Sequence, residues 1–240
     1  MIQDHILTGV RFQQTPNISG QRLENPKYLI IHFSASGSTS STVRELCKEG
    51  SNKSAHLVIG RDGEIVQLAS FDQRAWHCGE SAWNGEESLN RMSIGIELVN
   101  WGKLDRSKDG NVYRSWAGTE IPANEVEQAT HKNETTPAYW HKYTSEQLEV
   151  CKNVAREIFH AYNLKDVLGH DDISPTRKTD PGPLFPMEQL LVDLPPELVF
   201  YLKPKSGGVM YVVRGSDAEG SLSFDEARAL RDWLNENLPA

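Results

Sequence analysis

Long apolar runs, an excess of basic charge and paired cysteines are all missing from this sequence. In 240 residues no apolar stretch reaches the roughly 18 residues of a membrane-spanning helix. Lys and Arg number 25 against 33 Asp and Glu, for a net charge of −8. A general nucleic-acid binder needs a basic face to displace counterions, and an anionic membrane attracts basic clusters, so the charge argues against both partners. The cysteines Cys47, Cys78 and Cys151 are odd in number and far apart. No disulfide framework or C-x-x-C site follows, and they read as reduced thiols. Several catalytic signatures are also missing: G-x-S-x-G, H-E-x-x-H and the phosphate-binding G-x-x-x-x-G-K. What remains is 38% hydrophobic and 24% charged residues, the balance of a soluble globular chain. At this length the chain can bury a sizeable core without disulfides or metal.

The pattern along the chain alternates strands and helices. The run YLIIHF, residues 28–33, reads as a buried strand, and Thr42-x-x-Glu45 reads as a capping box opening a short helix that stops near Gly50. Residues 56–68 hold two apolar runs around Arg61-Asp62-Gly63, a hairpin signal. SIGIELV, residues 93–99, is a further strand in which Gly95 either weakens the strand or admits a close approach. Residues 101–143 are polar, carry Pro122 and Pro137 and show no sustained period, so they read as a long loop-like insertion. Thr144 opens a helix over 145–162, with Leu148, Cys151, Ala155, Ile158, Phe159 and Tyr162 at helical spacing. A strand over 166–170 leads to a Pro- and Gly-rich stretch and then a helix near 186–193. After Pro195-Pro196 come strands expected at 198–202 and 209–213, turning at Gly207-Gly208, and a last helix over Leu222–Leu238. The sum is mixed α/β: a body over 1–196 and a small β-β-α appendage over 197–240.

Polar groups cluster at the expected strand ends. His32 closes YLIIH before the Ser- and Gly-rich FSASGS; Glu97 sits within SIGIELV; His170 closes VLGH; Lys178 and Asp180 follow in Lys-x-Asp-Pro-Gly. Two histidines and a carboxylate make the usual three-ligand shell of a catalytic zinc, which leaves a position for water. Each histidine taken alone is more often a satisfied structural imidazole, and the long separation of His32 from His170 gives no proof of a shared site.

The strings VIGRDGEIVQL, AWHCGESAW, LNRMSIGIEL and GHDDISPTRKTDPGPLFP occur in one order between about residue 10 and residue 193. They resemble the zinc-dependent N-acetylmuramoyl-L-alanine amidases of the type 2 amidase family, a fold shared with peptidoglycan recognition proteins and amidase-type phage lysozymes. The resemblance implies an α/β (α+β) fold: a central mixed β-sheet flanked by helices, with the zinc site at one edge. It implies one Zn2+ per chain, held by His32, His170 and Asp180, with Glu97 as general base and Lys178 as oxyanion stabiliser. It implies hydrolysis of the amide between N-acetylmuramic acid and L-alanine, in peptidoglycan or its muropeptide fragments. The rival is a non-catalytic peptidoglycan-binding module. That branch commonly loses the third ligand, whereas Asp180 is present here.

His77, between Trp76 and Trp83, suits a substrate groove, and His56 suits either a buttress or a satisfied core histidine. Asn90 and Arg177 flank the catalytic strings and are placed as orienting or substrate-binding groups. Cys78 reads as a small filler near the groove. Trp116, Tyr139, Trp140 and His141 of the insertion either wall the cleft or pack against the body. The tail beyond 196 lies outside the resemblance. The opening MIQDHILTGVRFQQ lacks the basic start and apolar run of a secretory leader. The expectation is a chain made in the cytoplasm, which stays there or reaches the wall through phage lysis or an export route without a signal peptide.

Overall fold

The computed structural model describes residues 1–192 apart from Glu24, Asp109 and Asn111, together with 203–205, 208–212 and 219–222. The first five strands of the central sheet in chain order are β1 (Arg11–Phe12), β2 (Tyr28–Phe33), β3 (Leu57–Ile59), β4 (Ile65–Gln67) and β5 (Ser93–Leu98). Within the insertion follow β6 (Lys103–Arg106), β7 (Tyr113–Arg114), β8 (Glu120–Ile121), β9 (Val126–Ala129) and β10 (Ala138–His141), and then comes β11 (Asp166–Gly169). The helices are α1 (Thr39–Leu46), α2 (Ser145–Ala161), α3 (His170–Ile173) and α4 (Met187–Val192).

A six-stranded mixed sheet in the order β11-β2-β5-β3-β4-β1 forms the centre. β11, β2, β5 and β3 run parallel, while β4 turns back antiparallel to β3 through the Asp62-Gly63 hairpin. Strands buried on both faces carry unbroken apolar runs, and Leu29, Ile30 and Ile31 are all fully buried. Register decides which residues share a face. Glu97 lies opposite His32 on one side and Val58 on the other, so all three point the same way. On that face Val58 and Val66 pack with Val43 and Leu46 of α1, and Tyr28, Ile30 and Leu168 pack with Leu89, Met92 and Ile173. The alternate residues, including Ile31, Leu57 and Ile96, point to the other face, which α2 covers.

The helices begin where a side chain can take an unpaired N–H. Thr144 caps α2 by accepting from the Gln147 amide at 3.2 Å, as its sequence position implies. The cap of α1 is Ser38, which accepts from the Ser41 amide at 3.2 Å; Thr42 lies one turn inside and donates to the Ser38 carbonyl instead. The helix therefore starts earlier than the Thr42 box suggested. The buried face of α2 also includes Gln147, which donates to the carbonyls of Ile59 and Val99 at 2.9 and 3.1 Å. A polar residue at a core position thereby ties the ends of two strands, beside the Val99 amide that also donates to the Ile59 carbonyl at 2.9 Å.

The insertion is not a loop. It forms a five-stranded antiparallel sheet in the order β8-β7-β6-β10-β9. Its strands are only two to four residues long, too short to show a period. Its core is Trp140 with Leu104 and Ile121, leaving most other residues to solvent.

The chain divides into two compact units, Met1–Met187 and Glu188–Ala240. In the second, strands β12 (Lys203–Lys205), β13 (Gly208–Val212) and β14 (Glu219–Leu222) form an antiparallel sheet in that order. The strand expected at 198–202 lies outside the described residues. So does the last helix beyond Leu222, and Leu222 itself ends a strand. No helix among the described residues is long and apolar enough to cross a membrane.

Gly95 admits a close approach. A Cβ there would lie 2.5 Å from Nδ1 of His77, whose ring crosses the strand at this point. Gly95→Ala is expected to destabilise the protein by about 1–3 kcal/mol through this overlap, read as a drop in thermal midpoint. An unchanged midpoint would show that His77 moves aside at no cost.

Candidate metal centre

Parallel strands release their side chains at a common end, where open α/β sheets place their ligands. Here β2 ends in His32-Phe33, β5 ends in Glu97-Leu98, and β11 passes directly into α3 at His170. The loop after α3 returns so that the Asp171 amide donates to the Asp180 carbonyl at 2.8 Å, setting Asp180 beside the start of α3. The outcome is a buried triangle. His32 Nδ1, His170 Nδ1 and Asp180 Oδ2 lie 2.9 Å from one another.

The opposite edges of both imidazoles are occupied. His170 Nε2 donates to the Cys78 carbonyl at 2.9 Å, which leaves its Nδ1 with a lone pair. His32 Nε2 donates to His77 Nδ1 at 3.1 Å, and His77 Nε2 faces the Ser93 carbonyl at 3.4 Å. This chain fixes the His32 tautomer with its Nδ1 lone pair inward. Two nitrogen lone pairs and a carboxylate oxygen thus converge without a proton to share among all three. That donor set fits a cation, and nitrogen and oxygen ligands of this kind suit zinc. Among the described residues these three form the cluster able to hold a metal.

The surroundings act on the acid–base properties of the site. Burial, then the neighbouring His170, lowers His32 to about 4, against the pull of Asp180. Burial alone would raise Asp180, but in the metal-free protein the facing His170 and His32 imidazoles, when protonated, donate to it and outweigh burial, holding the carboxyl below its usual range. Burial and the charge of Asp180 push Glu97 up to about 8, opposed by Lys178 and Lys53. Glu97 Oε2 is buried and has no hydrogen-bond partner among the described residues. A partnerless carboxylate oxygen beside a metal-shaped cluster is free to meet a ligand.

Above the triangle lies a cleft of about 770 Å³. His32, His77, Glu97, Trp76, Arg177, Lys178 and Asp180 all line it. Trp76 carries the Arg74 guanidinium 4.9 Å over its ring. Arg177 serves the wall as well as lining it, since its NH2 donates to the carbonyls of Cys78 and Glu80 at 2.7 and 2.8 Å. Asn90 lies behind the wall. Its Oδ1 accepts from the amides of His77 and Cys78 at 3.0 and 2.8 Å, and so aims the Cys78 carbonyl that His170 uses. His56 also lies behind the wall. Its Nε2 donates to the Gln73 carbonyl at 2.8 Å and its Nδ1 accepts from the Gly95 amide at 3.0 Å; burial lowers it to about 4. Trp83 packs on the core cluster around Leu89 and does not line the cleft. The Cys78 thiol is buried and raised to about 12 by that burial, which fits a filler.

Of the insertion aromatics, Trp116 lines the cleft, whereas Trp140 and His141 are buried in the insertion sheet and Tyr139 pairs with Tyr113 at 5.0 Å. Sequence reasoning missed Asp171. Its Oδ2 accepts from His131 Nε2 at 2.8 Å, and Lys132 Nζ lies 2.8 Å from its Oδ1. The residue next to His170 therefore ties α3 to the insertion. The doubled Asp of GHDD was the visible signal, but its partner lay in a segment read as loop.

A family profile described as N-acetylmuramoyl-L-alanine amidase (Amidase_2) matches residues 22–183. Over 134 residues the chain is 38% identical to the 1,6-anhydro-N-acetylmuramyl-L-alanine amidase AmpD of Escherichia coli K12, covering 55% of this chain and 53% of that protein. Over 173 residues it is 32% identical to the N-acetylmuramoyl-L-alanine amidase AmiD of Escherichia coli K12, covering 68% of this chain and 51% of that protein. The chain spans about half the length of these curated relatives. A crystal structure of an AmpD derivative superposes with a TM-score of 0.59 and 26% identity, covering 81% of this chain and 99% of that one. Escherichia coli AmiD in complex with anhydro-N-acetylmuramic acid-L-Ala-D-gamma-Glu-L-Lys superposes with a TM-score of 0.53 and 29% identity, covering 73% and 60%. The profile covers every strand of the central sheet except β1 and includes His32, Glu97, His170 and Asp180, and the chain belongs to the type 2 N-acetylmuramoyl-L-alanine amidase family.

Proposed function

We propose that this protein hydrolyses the amide bond between N-acetylmuramic acid and L-alanine in peptidoglycan or its fragments. It would do so with one zinc ion held by His32, His170 and Asp180. The observation that carries the reading is the triangle of two imidazole nitrogens and a carboxylate oxygen, each 2.9 Å from the others, beside the partnerless Glu97 oxygen. Zinc, when bound, brings the pKa of its water near 7 and polarises the carbonyl under attack. Glu97 takes the proton of the attacking water at Oε2 and passes it to the departing amine of L-alanine. Its raised affinity for a proton suits both halves of that transfer. Lys178 donates from Nζ to the carbonyl oxygen as negative charge grows on it. His77, Asn90 and Arg177 hold the imidazoles and the Cys78 carbonyl so that the ligand atoms keep their aim. The cleft above accepts the sugar and stem peptide, with Trp76 on its wall.

New L-alanine amino termini are expected when the protein meets purified peptidoglycan or muropeptides. Release should stop with chelator and return with added zinc; release that ignores chelator would reject the metal-dependent reading. Asp180→Ala should lower bound zinc well below one per chain, measured by elemental analysis, while the circular dichroism spectrum persists. Lys178→Ala should keep zinc but lower kcat roughly 10²–10³-fold. Glu97→Gln should keep zinc and lose most turnover. It also carries a signed pH effect on the metal-free protein. Folding raises Glu97 from its ordinary 4.5 to about 8. Its ionisation therefore opposes folding, by nothing below about pH 4.5 and by a growing amount up to about pH 8. The thermal midpoint of metal-free Glu97→Gln should gain on metal-free wild type across that window. A constant difference would show that the carboxyl is not held neutral.

A further inference from the structure

We propose that Trp101 and Trp116 form a saccharide-stacking subsite at the mouth of the cleft, which takes a pyranose ring of the glycan beyond the sugar bearing the scissile amide. This rests on the hydrolase reading above and adds a preference for glycan chains over single-sugar muropeptides.

Trp116 is 72% exposed, and among the described residues it is the large exposed apolar side chain that lines the cleft, as Met1 and Phe12 do not. Trp140 of the same sheet shows what packing does to an indole: it is 2% exposed, with Nε1 donating to the Ala129 carbonyl at 3.1 Å. The Trp116 ring is instead held open. Its Nε1 donates to the Ala35 carbonyl at 2.8 Å, which fixes the ring while leaving its surface to solvent. Ala35 lies three residues after His32 and has a φ of 52°, a left-handed conformation that a non-glycine residue rarely adopts. The loop after the first ligand is thus shaped to hold the indole. Trp101 meets Trp116 with ring centroids 6.5 Å apart at 71°. A Cβ on Gly37 would lie 2.6 Å from the Trp101 ring, so this glycine lets the indole lie on the same loop.

The chemistry of this stretch selects the occupant. Phe33, Ser34, Ser36, Trp101, Trp116 and Ala117 line the cleft without a charge among them. The Ser34 hydroxyl is buried and has no hydrogen-bond partner among the described residues. A stem peptide carries carboxylates and an amine and calls for the charged lining residues Lys53, Arg177 and Lys178. An uncharged sugar ring offers an apolar C–H face to an indole and hydroxyls to a serine. Pre-ordered aromatic surface of this kind binds with little loss of side-chain freedom.

The experiment compares initial rates on purified peptidoglycan and on a single-sugar muramyl peptide, with a fluorescence titration by the N-acetylglucosamine trimer, which has no stem peptide. Trp116→Ala is expected to lower kcat/KM on the polymer about tenfold, the value of one good aromatic contact, and to stay within about twofold of wild type on the single-sugar substrate. Trp116→Phe should retain most of the polymer rate, and Trp101→Leu should follow Trp116→Ala. The trimer should shift indole emission in wild type and not in Trp116→Ala. Rates that fall together on both substrates, rates that do not fall, or a trimer that leaves the emission unchanged each overturn the subsite. If wild type cleaves neither substrate, the hydrolase reading fails, and the trimer titration still decides whether the two indoles bind sugar.

Discussion

Two imidazole lone pairs and a carboxylate oxygen held 2.9 Å apart in a buried place are the constraint on which the rest of the structure depends. Such a cluster is costly without a cation, because unpaired buried polar groups forgo their hydration. The protein commits backbone to keep it. Adjacent parallel strands β11, β2 and β5 end together, and the loop after α3 folds back through the Asp171–Asp180 backbone bond to bring Asp180 to the two histidines.

Around the triangle each orienting group answers to another behind it. Asn90 fixes the His77 and Cys78 amides; the Cys78 carbonyl takes His170; His77 takes His32; and Gly95 leaves the space that the His77 ring needs. His56 joins the Gly95 amide to the Gln73 carbonyl and steadies the strand beneath that ring. Arg177 ties the Cys78–Glu80 loop to the stretch that carries Lys178. Four histidines thus do three different things: His32 and His170 turn a nitrogen to the triangle, His77 orients and His56 crosslinks. Their immediate sequence neighbours do not distinguish these tasks. What separates them is whether a ring nitrogen faces another ligand atom, another ring or a backbone group.

The insertion lines the same cleft and is tied to its walls. Its sheet is tied to α3 through His131 and Lys132 on Asp171, and to the loop after His32 through Trp116 on Ala35. One tie lands on the residue after His170 and the other three residues after His32. A segment that looked structureless from composition, because its strands are short and its apolar side chains few, is anchored at two points of the cleft.

Much was legible before any fold was drawn. YLIIHF and SIGIEL are strands because unbroken β-branched and aliphatic runs suit a doubly buried parallel sheet, and 145–161 is a helix because its apolar spacing and Thr144 cap agree. The family strings named the residues that meet at the site. Sequence left three things open, each because it depends on groups distant in the chain. The cap of α1 is a contest between Ser38 and Thr42 that tertiary packing settles. Whether His56 and Asn90 face substrate or backbone depends on which side of a strand their partners lie. Whether Trp116 is buried like Trp140 or held open depends on the Ala35 carbonyl, 81 residues away along the chain. The sequence by itself determined the donor types and the strands that carry them. Only the tertiary structure decided which lone pairs converge and which indole is left to solvent, because convergence is a matter of register and handedness among strands far apart along the chain.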